Sequence, residues 1–420
     1  MNIFKKKILL KGPLLTRSGY GEHARFVLRA LRSREDMFEI FIQPLQWGQT
    51  SWLNEITEER AWIDHTIEKT IAFLQQGGQI DISIQVTIPN EWEKMAPVNI
   101  GVTAGIETTK VAAPWIQKGN EMDKIIVVSD HSKKVYEDTA YIMTNNETGE
   151  KSELRLNKPI EVVNYPVKIY DKLPDLELDL KNDFNFLCVA QAGPRKNLFN
   201  TVKWFIEEFH DEEVGIVLKT NIAKNCLMDR EKIMSEIRSY LRNIHDNRKC
   251  SVYIIHGDMT DEEMHALYKH PSIDAMVLLS HGEGFGLPLF EAAYSGLPVV
   301  TVGWSGHLDF LVDEDGRERF YPVRYDINPI PDEAFWEGVI IKESMWAYPQ
   351  EKSAKQQLRL CYNDLNSNSS VIDASSQYAV AIHERFSKEK MYKAFCDLVQ
   401  TPPSEEETEW MQALSEIEIL

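Results

Sequence analysis

Residues 280–300 read Ser-His-Gly-Glu-Gly-Phe-Gly-Leu-Pro-Leu-Phe-Glu-Ala-Ala-Tyr-Ser-Gly-Leu-Pro-Val-Val. The apolar run at 275–280 predicts a buried strand, which leads into a loop with three glycines. A helix is expected to begin near Pro288, because proline lacks the amide hydrogen that the first helical turn leaves unpaired. Gly296 is expected to end that helix, and the next strand follows it. This alternation is typical of an α/β fold with a parallel sheet.

The glycine loop and the helix after it would together suit an anionic or hydroxyl-rich ligand. Glycine lets backbone amides approach a ligand closely, and a helix N-terminus attracts phosphate. Glu283 lies in the loop and Glu291 in the first turns of the helix, so the two carboxylates can reach opposite ends of one extended ligand, such as a nucleotide-sugar. In the alternative interpretation, the glycines serve packing and Glu291 only favours the start of the helix.

The composition is that of an ordinary globular protein, with 43% hydrophobic and 26% charged residues. A net charge of -19 disfavours binding of nucleic acid or anionic lipid over the whole surface, although a local basic groove stays possible. No apolar run reaches the ~20 residues of a membrane span. Five scattered cysteines predict free thiols in a reducing compartment, so a cytoplasmic location is expected.

Short β-rich apolar runs alternate with amphipathic helical segments, which predicts two successive α/β domains in a chain of 420 residues. We expect an N-terminal domain at 1–170 and a C-terminal domain at 171–400, joined by a charged stretch. Residues 141–159 are expected to form a hairpin or loop, and 376–399 a helix. The last segment, 401–420, is expected to be a loosely held acidic tail.

The string from Glu283 to Pro288, with Glu291-Ala292 and the Gly-Leu-Pro-Val-Val that begins at Gly296, resembles the E-x7-E signature of retaining GT-B glycosyltransferases, notably glycosyltransferase family four. The resemblance implies two facing Rossmann-like domains and a last helix that crosses back to the first domain. It also implies that Glu283 contacts the donor sugar and Glu291 the ribose. It further implies that four residues between these glutamates bind the donor. They are Gly284, Phe285 and Gly286, through their backbone amides, and Leu287.

Arg195 and Lys196 follow the strand predicted at 184–190, at the edge where α/β sheets bind ligands. The pair resembles the family's cations that neutralise the diphosphate leaving group, where negative charge develops as the glycosidic bond breaks. A solvated pair at a helix start is the alternative. Lys219 is a weaker candidate for the same task, and Met259 lies in a turn that resembles the family's segment beside the base.

Two further candidates lie in the first half of the chain. Gly19 and Gly21 follow the first strand and suit close approach to the leaving phosphate, although such a turn can also be structural. Glu107 lies where many relatives place a histidine near the donor sugar. Whether Glu107 binds donor, binds acceptor or is structural stays open, and we include it among the catalytic candidates.

The expected activity is transfer of a sugar, with retention, from a nucleotide-diphosphate sugar to a hydroxyl acceptor such as a glycan or glycoconjugate. No cofactor and no metal are expected, because the Asp-Glu-Asp string at 313–315 is interpreted as an exposed turn and no histidine–carboxylate cluster has ligand spacing. Three rivals stay open: a nucleotide-sugar epimerase of the same fold, a sugar-binding protein with an inactive site, and a glycosyltransferase acting on a modified DNA base.

Overall fold

The computed structural model describes residues 5–48, 50–144, 149–242, 247–367 and 369–400. These residues form two α/β domains, and each is built around a six-stranded parallel sheet. The strands are rich in Val, Ile and Leu because helices cover both faces of a parallel sheet. The tail expected at 401–420 lies outside the described residues.

The sheet of the first domain has the order β2-β1-β3-β4-β5-β8. An antiparallel pair, β6 and β7, confirms the hairpin expected at 141–159, although its residues 145–148 lie outside the described residues. The elements of this domain are β1 (Lys6–Gly12), α1 (Gly19–Arg32), β2 (Phe38–Pro44), α2 (Glu58–Gln75), β3 (Ile82–Val86), β4 (Val98–Thr103), α3 (Ala113–Glu121), β5 (Lys124–Val127), α4 (Asp130–Asp138), β6 (Tyr141–Thr144), β7 (Lys151–Leu154) and β8 (Ile160–Val162).

The sheet of the second domain has the order β11-β10-β9-β12-β13-β14. Helix α8 begins one residue before Pro288 and is followed by Gly296 in a left-handed conformation, as expected. The elements are β9 (Phe184–Val189), α5 (Leu198–Phe209), β10 (Val214–Lys219), α6 (Leu227–Arg242), β11 (Ser251–Ile255), α7 (Asp261–Tyr268), β12 (Ala275–Leu278), α8 (Leu287–Tyr294), β13 (Val299–Val302), α9 (Leu308–Leu311), β14 (Tyr321–Val323), β15 (Tyr325–Pro329), β16 (Met345–Pro349), α10 (Glu351–Ser367), α11 (Ser369–Arg385) and α12 (Lys388–Val399). The division of the chain near residue 170 stays a prediction.

The C-terminal part contains two helices where one helix was expected at 376–399. Ser387 has an extended backbone and caps α12, since its hydroxyl accepts a hydrogen bond from the Lys390 amide (3.4 Å). Helix α11 packs on α8, whereas α12 packs on α1 of the first domain. There the ring of Phe395 contacts Phe26, and the Cys396 thiol donates to the Ala30 carbonyl (3.1 Å). The chain therefore crosses back to the first domain, as the resemblance implied.

Residues 325–349, which we call the strap, leave the second sheet and reach the first domain. Its strands β15 and β16 pair in antiparallel fashion. Thr109 and Met345 exchange two hydrogen bonds of 3.1 and 3.2 Å, and Asn90 donates to the Gly338 carbonyl (2.8 Å). Val339 and Ile341 pack against a core cluster of the first domain. The strap is thus attached to both domains.

All five cysteines are free thiols; four of them are buried, and Cys226 is exposed. Burial raises the pKa of Cys188 to about 12, which keeps that thiol protonated. Among the helices of the described residues, none combines the length and hydrophobicity that a membrane span requires.

Candidate active site

The site lies where the strand order of each sheet reverses. In the second sheet the chain runs outward from β9 to β11 on one side and from β12 to β14 on the other, so the loops after β9 and β12 part from each other. In the first sheet the reversal lies between β1 and β3. Open α/β sheets bind ligands in the crevice at such points, outside the carboxyl ends of the strands. The loop after β9 carries Arg195 and Lys196, and the loop after β12 carries Glu283.

Glu283 is buried, with 5% of its surface exposed, and its carboxylate is fully engaged. Oε1 accepts hydrogen bonds from Lys196 Nζ and Ser280 Oγ, both at 2.6 Å, and Oε2 lies 3.2 Å from Arg195 Nη1. Burial raises the pKa of Glu283, but Lys196 and Arg195 outweigh it and lower the pKa to about 2. The carboxylate is therefore ionised at any physiological pH.

Arg195 connects this carboxylate to the first domain. Its Nη2 lies 3.1 Å from Oε1 of Glu107, which follows β4, and its Nη1 donates to the Gly282 carbonyl (2.6 Å). Burial lowers the pKa of Arg195, and Glu107 and Glu283 raise it by more. We call Arg195, Lys196, Glu283 and Glu107 the charged cluster. The structure thus brings the four catalytic candidates together, with two positive and two negative groups.

The position of the lysine in this cluster has its own local cause. Asn197, which follows Lys196, adopts a left-handed conformation with φ 52° that asparagine tolerates better than most residues. Its side chain donates to the carbonyl of Leu279 (3.1 Å), the residue just after β12. The loops after β9 and β12 are thereby joined, and burial lowers the pKa of Lys196 in spite of the carboxylate beside it.

The glycines after β12 let the first domain come close. A Cβ atom on Gly284 would lie 2.0 Å from the Ala104 carbonyl oxygen, and one on Gly282 would lie 2.2 Å from that of Glu107. Ser129 Oγ donates to the Gly284 carbonyl (2.6 Å). Gly286, with φ +91°, makes the turn into α8. At these positions no larger residue fits the observed packing.

The side chain of Phe285 belongs to the hydrophobic core. Its ring packs on Tyr165, Phe290 and Phe310, and 3% of its surface is exposed. A ligand in the crevice can therefore meet Phe285 only through its backbone.

A cavity of ≈ 620 Å³ lies between the domains beside α8. Glu291 and Leu287 line it from the second domain, and α1, α2 and α12 contribute the facing walls. No member of the charged cluster lines this cavity. The two glutamates of the E-x7-E string therefore lie in different parts of the crevice, Glu283 in the charged cluster and Glu291 in the cavity.

Glu291 is half-buried and its ionisation is finely balanced. Burial raises its pKa to about 7, against the attraction of Lys168 and together with the repulsion of Asp261. Lys168 itself forms ion pairs with Glu22 (2.9 Å) and Asp261 (2.7 Å), which join the two domains across the cavity. Lys168 could not be predicted from the sequence, because the stretch after β8 has no periodicity that would single out one of its residues.

The weaker candidates have other partners. Gly21 is required for packing, since a Cβ there would lie 2.1 Å from the Thr16 carbonyl oxygen, whereas Gly19 is exposed with open space around it. Lys219 Nζ donates to the Gly257 carbonyl, and burial lowers its pKa. The carbonyl of Met259 accepts a hydrogen bond from Arg17 Nη1 (3.0 Å) of the first domain.

Two histidines flank the crevice with structural partners. His281 Nδ1 donates to the Ala347 carbonyl of the strap (3.1 Å), and burial lowers its pKa to about 4. His307 Nε2 donates to the Val302 carbonyl (2.7 Å). The Asp-Glu-Asp string is a turn in which Asp313 accepts from the Asp315 and Arg317 amides (3.0 and 2.9 Å). Across the described ranges, no group of three or more His, Cys, Asp or Glu side chains is placed to hold a metal ion.

Comparison with known proteins gives one family match. Residues 235–323, which include both glutamates of the E-x7-E string, match the family described as glycosyl transferases group 1. No curated protein sequence matches the chain significantly.

Several solved structures share the whole fold. Sucrose-phosphate synthase from Thermosynechococcus elongatus is 13% identical, with a TM-score of 0.60 over 94% of this chain and 98% of that one. HepE from Anabaena in complex with UDP and glucose is 12% identical, with a TM-score of 0.57 over 94% and 99%. A glycosyltransferase from Rickettsia africae is 12% identical, with a TM-score of 0.56 over 94% and 98%. The chain therefore has the GT-B fold, and its match across residues 235–323 supports an enzyme that transfers glycosyl groups.

Proposed function

We propose that the protein is a retaining, metal-independent glycosyltransferase that moves a sugar from a nucleotide-diphosphate sugar to a hydroxyl of a glycan or glycoconjugate. The observation that carries the proposal is the charged cluster at the point where the strand order reverses. There two partly buried cations share one buried carboxylate, next to a glycine loop and the N-terminus of α8. The five free thiols support a reducing compartment, and we propose the cytoplasm.

The donor would extend from the cavity to the charged cluster. Its ribose hydroxyls would meet Glu291 in the cavity, and the backbone amides from Gly284 to Leu287 would face the diphosphate at the positive end of α8. The donor sugar would then lie at Glu283. The two glutamates would thus hold opposite ends of one molecule, which agrees with their separation in the crevice.

Arg195 and Lys196 would stabilise the leaving diphosphate. Negative charge grows on the diphosphate as the glycosidic bond breaks, and a fixed cation in a water-poor site is worth more than one in solution. One oxygen of the diphosphate would accept the proton of the acceptor hydroxyl, whose oxygen bonds to the anomeric carbon on the face that the diphosphate leaves. Glu107 lies against Arg195, so the diphosphate would take its place.

A thermal-shift screen against nucleotide-sugars tests the donor first, because a ligand that binds only the folded state raises its stability. UDP-glucose is the first compound to test, since HepE shares the fold and was solved with UDP and glucose. Release of nucleotide diphosphate with an acceptor present, and NMR of the anomeric proton in the product, then test transfer and retention. Conversion of the donor without acceptor would indicate an epimerase instead, and salt-sensitive DNA binding would indicate a DNA acceptor.

Two variants test the charged cluster. Arg195→Ala and Glu283→Gln should each lower kcat by about 100-fold or more, the scale of losing one stabilising group in the transition state. Because Glu283→Gln leaves the partly buried Lys196 without its charged partner, circular dichroism must show that the variant is folded at the assay temperature. Glu93→Gln, which removes the ion pair of another largely buried lysine, Lys11, outside the charged cluster and the cavity, is the matched control. Wild-type turnover in folded Arg195→Ala would contradict the proposal.

A further inference from the structure

The strap carries two exposed aromatic residues, Phe335 and Trp336, directly after a short helical turn that lies near the charged cluster. Its short helical turn Asp332–Ala334 lies next to the turn Pro194–Lys196. At its other end the Tyr348 ring packs on His281, with 4.4 Å between ring centroids, two residues before Glu283. The strap therefore runs beside the loops that carry the charged cluster, near the position proposed for the donor sugar.

We propose that the strap binds a neutral oligosaccharide, the acceptor chain beyond the sugar that receives the transfer. This inference rests on the proposed function, because it names the class of acceptor for the same site. Phe335 and Trp336 would provide the faces on which sugar rings stack.

The strap's own contacts fix the backbone that carries these two exposed rings. Phe335 is 41% exposed and Trp336 is 56% exposed. Trp336 and Ile340 exchange two backbone hydrogen bonds of 3.0 and 2.8 Å, so the turn that carries Trp336 is closed. Val339 and Ile341 anchor the turn on the first domain. A large aromatic face on a fixed backbone loses little conformational entropy when a ligand stacks on it.

The two rings differ in how much of their surface is free. The Lys342 ammonium lies over the Phe335 ring, 5.3 Å from its centroid, and takes one of its faces. Trp336 is therefore the main stacking surface. Contact between the axial C–H groups of a pyranose and an indole ring is both dispersive and electrostatic, since the ring face is electron-rich.

The charge of the strap selects among acceptors. Within residues 325–349 there are five carboxylates, Asp326, Asp332, Glu333, Glu337 and Glu343, and one cation, Lys342. Carboxylates accept hydrogen bonds from sugar hydroxyls, whereas they repel phosphate and sulfate groups. A neutral chain therefore fits this surface better than a nucleic acid, a phosphate-containing polymer or an anionic membrane.

The test uses full-length protein and neutral malto-, cello- and chito-oligosaccharides of one to six sugars. Binding is measured by titration calorimetry without donor, and acceptor KM is measured with the donor found in the screen. For the hexasaccharide that binds, Trp336→Ala should raise both Kd and KM by about tenfold, as expected for loss of an aromatic hot spot. The KM of the monosaccharide and the affinity for donor should change less than about twofold. Trp336→Phe should retain much of the affinity.

Leu360→Ala, an exposed apolar residue on α10 that is 45% exposed, controls for loss of surface hydrophobicity. If the donor is turned over but no hexasaccharide depends on Trp336, the strap proposal fails while the proposed function stands. If hexasaccharide binding depends on Trp336 but no donor is turned over, the strap proposal stands while the proposed function fails. The proposal is also overturned if no oligosaccharide of the panel binds, or if Trp336→Ala only dissociates a dimer in sedimentation analysis.

Discussion

Glu291 differs from Glu283 in the state of its carboxyl group, although both belong to one short motif. Two cations hold the pKa of Glu283 at about 2, whereas burial raises the pKa of Glu291 to about 7. The pKa of Glu291 is about 7 in the folded protein and 4.5 in the unfolded chain, so this group favours folding most below pH 4.5. Its contribution to the free energy of unfolding is lost as the pH rises through about 7. Burial therefore destabilises the ionised form of Glu291, and hydrogen bonds from a ligand's hydroxyl groups can reduce this cost.

The first prediction concerns the pH dependence of nucleotide binding. If ionised Glu291 holds the ribose hydroxyls, the nucleotide diphosphate of the donor should bind about tenfold more tightly near pH 8 than near pH 6, because the ionised fraction grows by about that factor around a pKa of about 7. Titration calorimetry at the two pH values measures this.

Glu291→Gln is the control for that titration. Its amide does not ionise in this range, so its affinity should be weak and nearly equal at both pH values. A wild-type affinity that does not change with pH would show that the ribose is held elsewhere.

At the scale of elements, the loop between β12 and α8 is matched to the loop after β4. The second prediction is that Gly284→Ala lowers activity by at least about tenfold, because the new Cβ would overlap the Ala104 carbonyl at 2.0 Å and push the two loops apart. Steady-state kinetics with the identified donor checks this.

Gly303→Ala is the matched control, since a Cβ there would meet only Pro322 at an ordinary 4.0 Å. It lies in the same domain, after β13, and should leave kcat/KM within about twofold of wild type. Equal losses in the two variants would contradict the role given to the Ala104 contact.

Most elements could be predicted from the sequence because each has a local pattern. Buried parallel strands are apolar runs, and helix α8 has proline at its start and glycine after its end. The break between α11 and α12 escaped prediction. Ser387 is followed by Lys-Glu-Lys, which continues a helical pattern, and the Glu or Gln of a capping box is absent at the third position.

The charged cluster could be predicted only as separate residues. Arg195, Lys196 and Glu283 each follow a strand, which favours one shared edge, and the resemblance assigned their roles. The contact between Arg195 and Glu107 joins residues far apart in the chain, and so do the contacts of the strap with the first domain. Such pairs have no period in the sequence, so the structure was needed to find them.

At the scale of the whole molecule, polar contacts hold the two domains together around the crevice. Glu107 pairs with Arg195, and Ser129 donates to Gly284. Asp309 accepts from the Asp130 amide (3.0 Å) and the Asn164 side chain (2.9 Å). These contacts hold the two sides of the crevice together, and Glu107 pairs with the cation that we propose for the diphosphate.

The third prediction follows from this competition. Glu107→Gln should bind UDP, or the nucleotide diphosphate that the screen identifies, about 5- to 10-fold more tightly than wild type at low salt, because Arg195 is released from its carboxylate while the side chain keeps its shape. The gain should shrink as salt is added. Titration calorimetry at two ionic strengths measures both effects.

Glu121→Gln controls for the loss of one negative charge, since Glu121 pairs with Lys118 (3.0 Å) on the surface of the same domain. Its affinity for the nucleotide should equal that of wild type. Unchanged or weaker binding by Glu107→Gln would show that Glu107 does not compete with the diphosphate.

The single exposed thiol gives a position at which a change in the arrangement of the domains can be tested for. Cys226 is the one cysteine of the five that lies at the surface, and the amide of its neighbour Asn225 donates to Ser51 Oγ (3.3 Å) of the first domain. A maleimide dye should therefore label the native chain at one position, next to a contact between the two domains. Its emission in a stopped-flow instrument would then follow opening and closing during turnover, with no engineered cysteine.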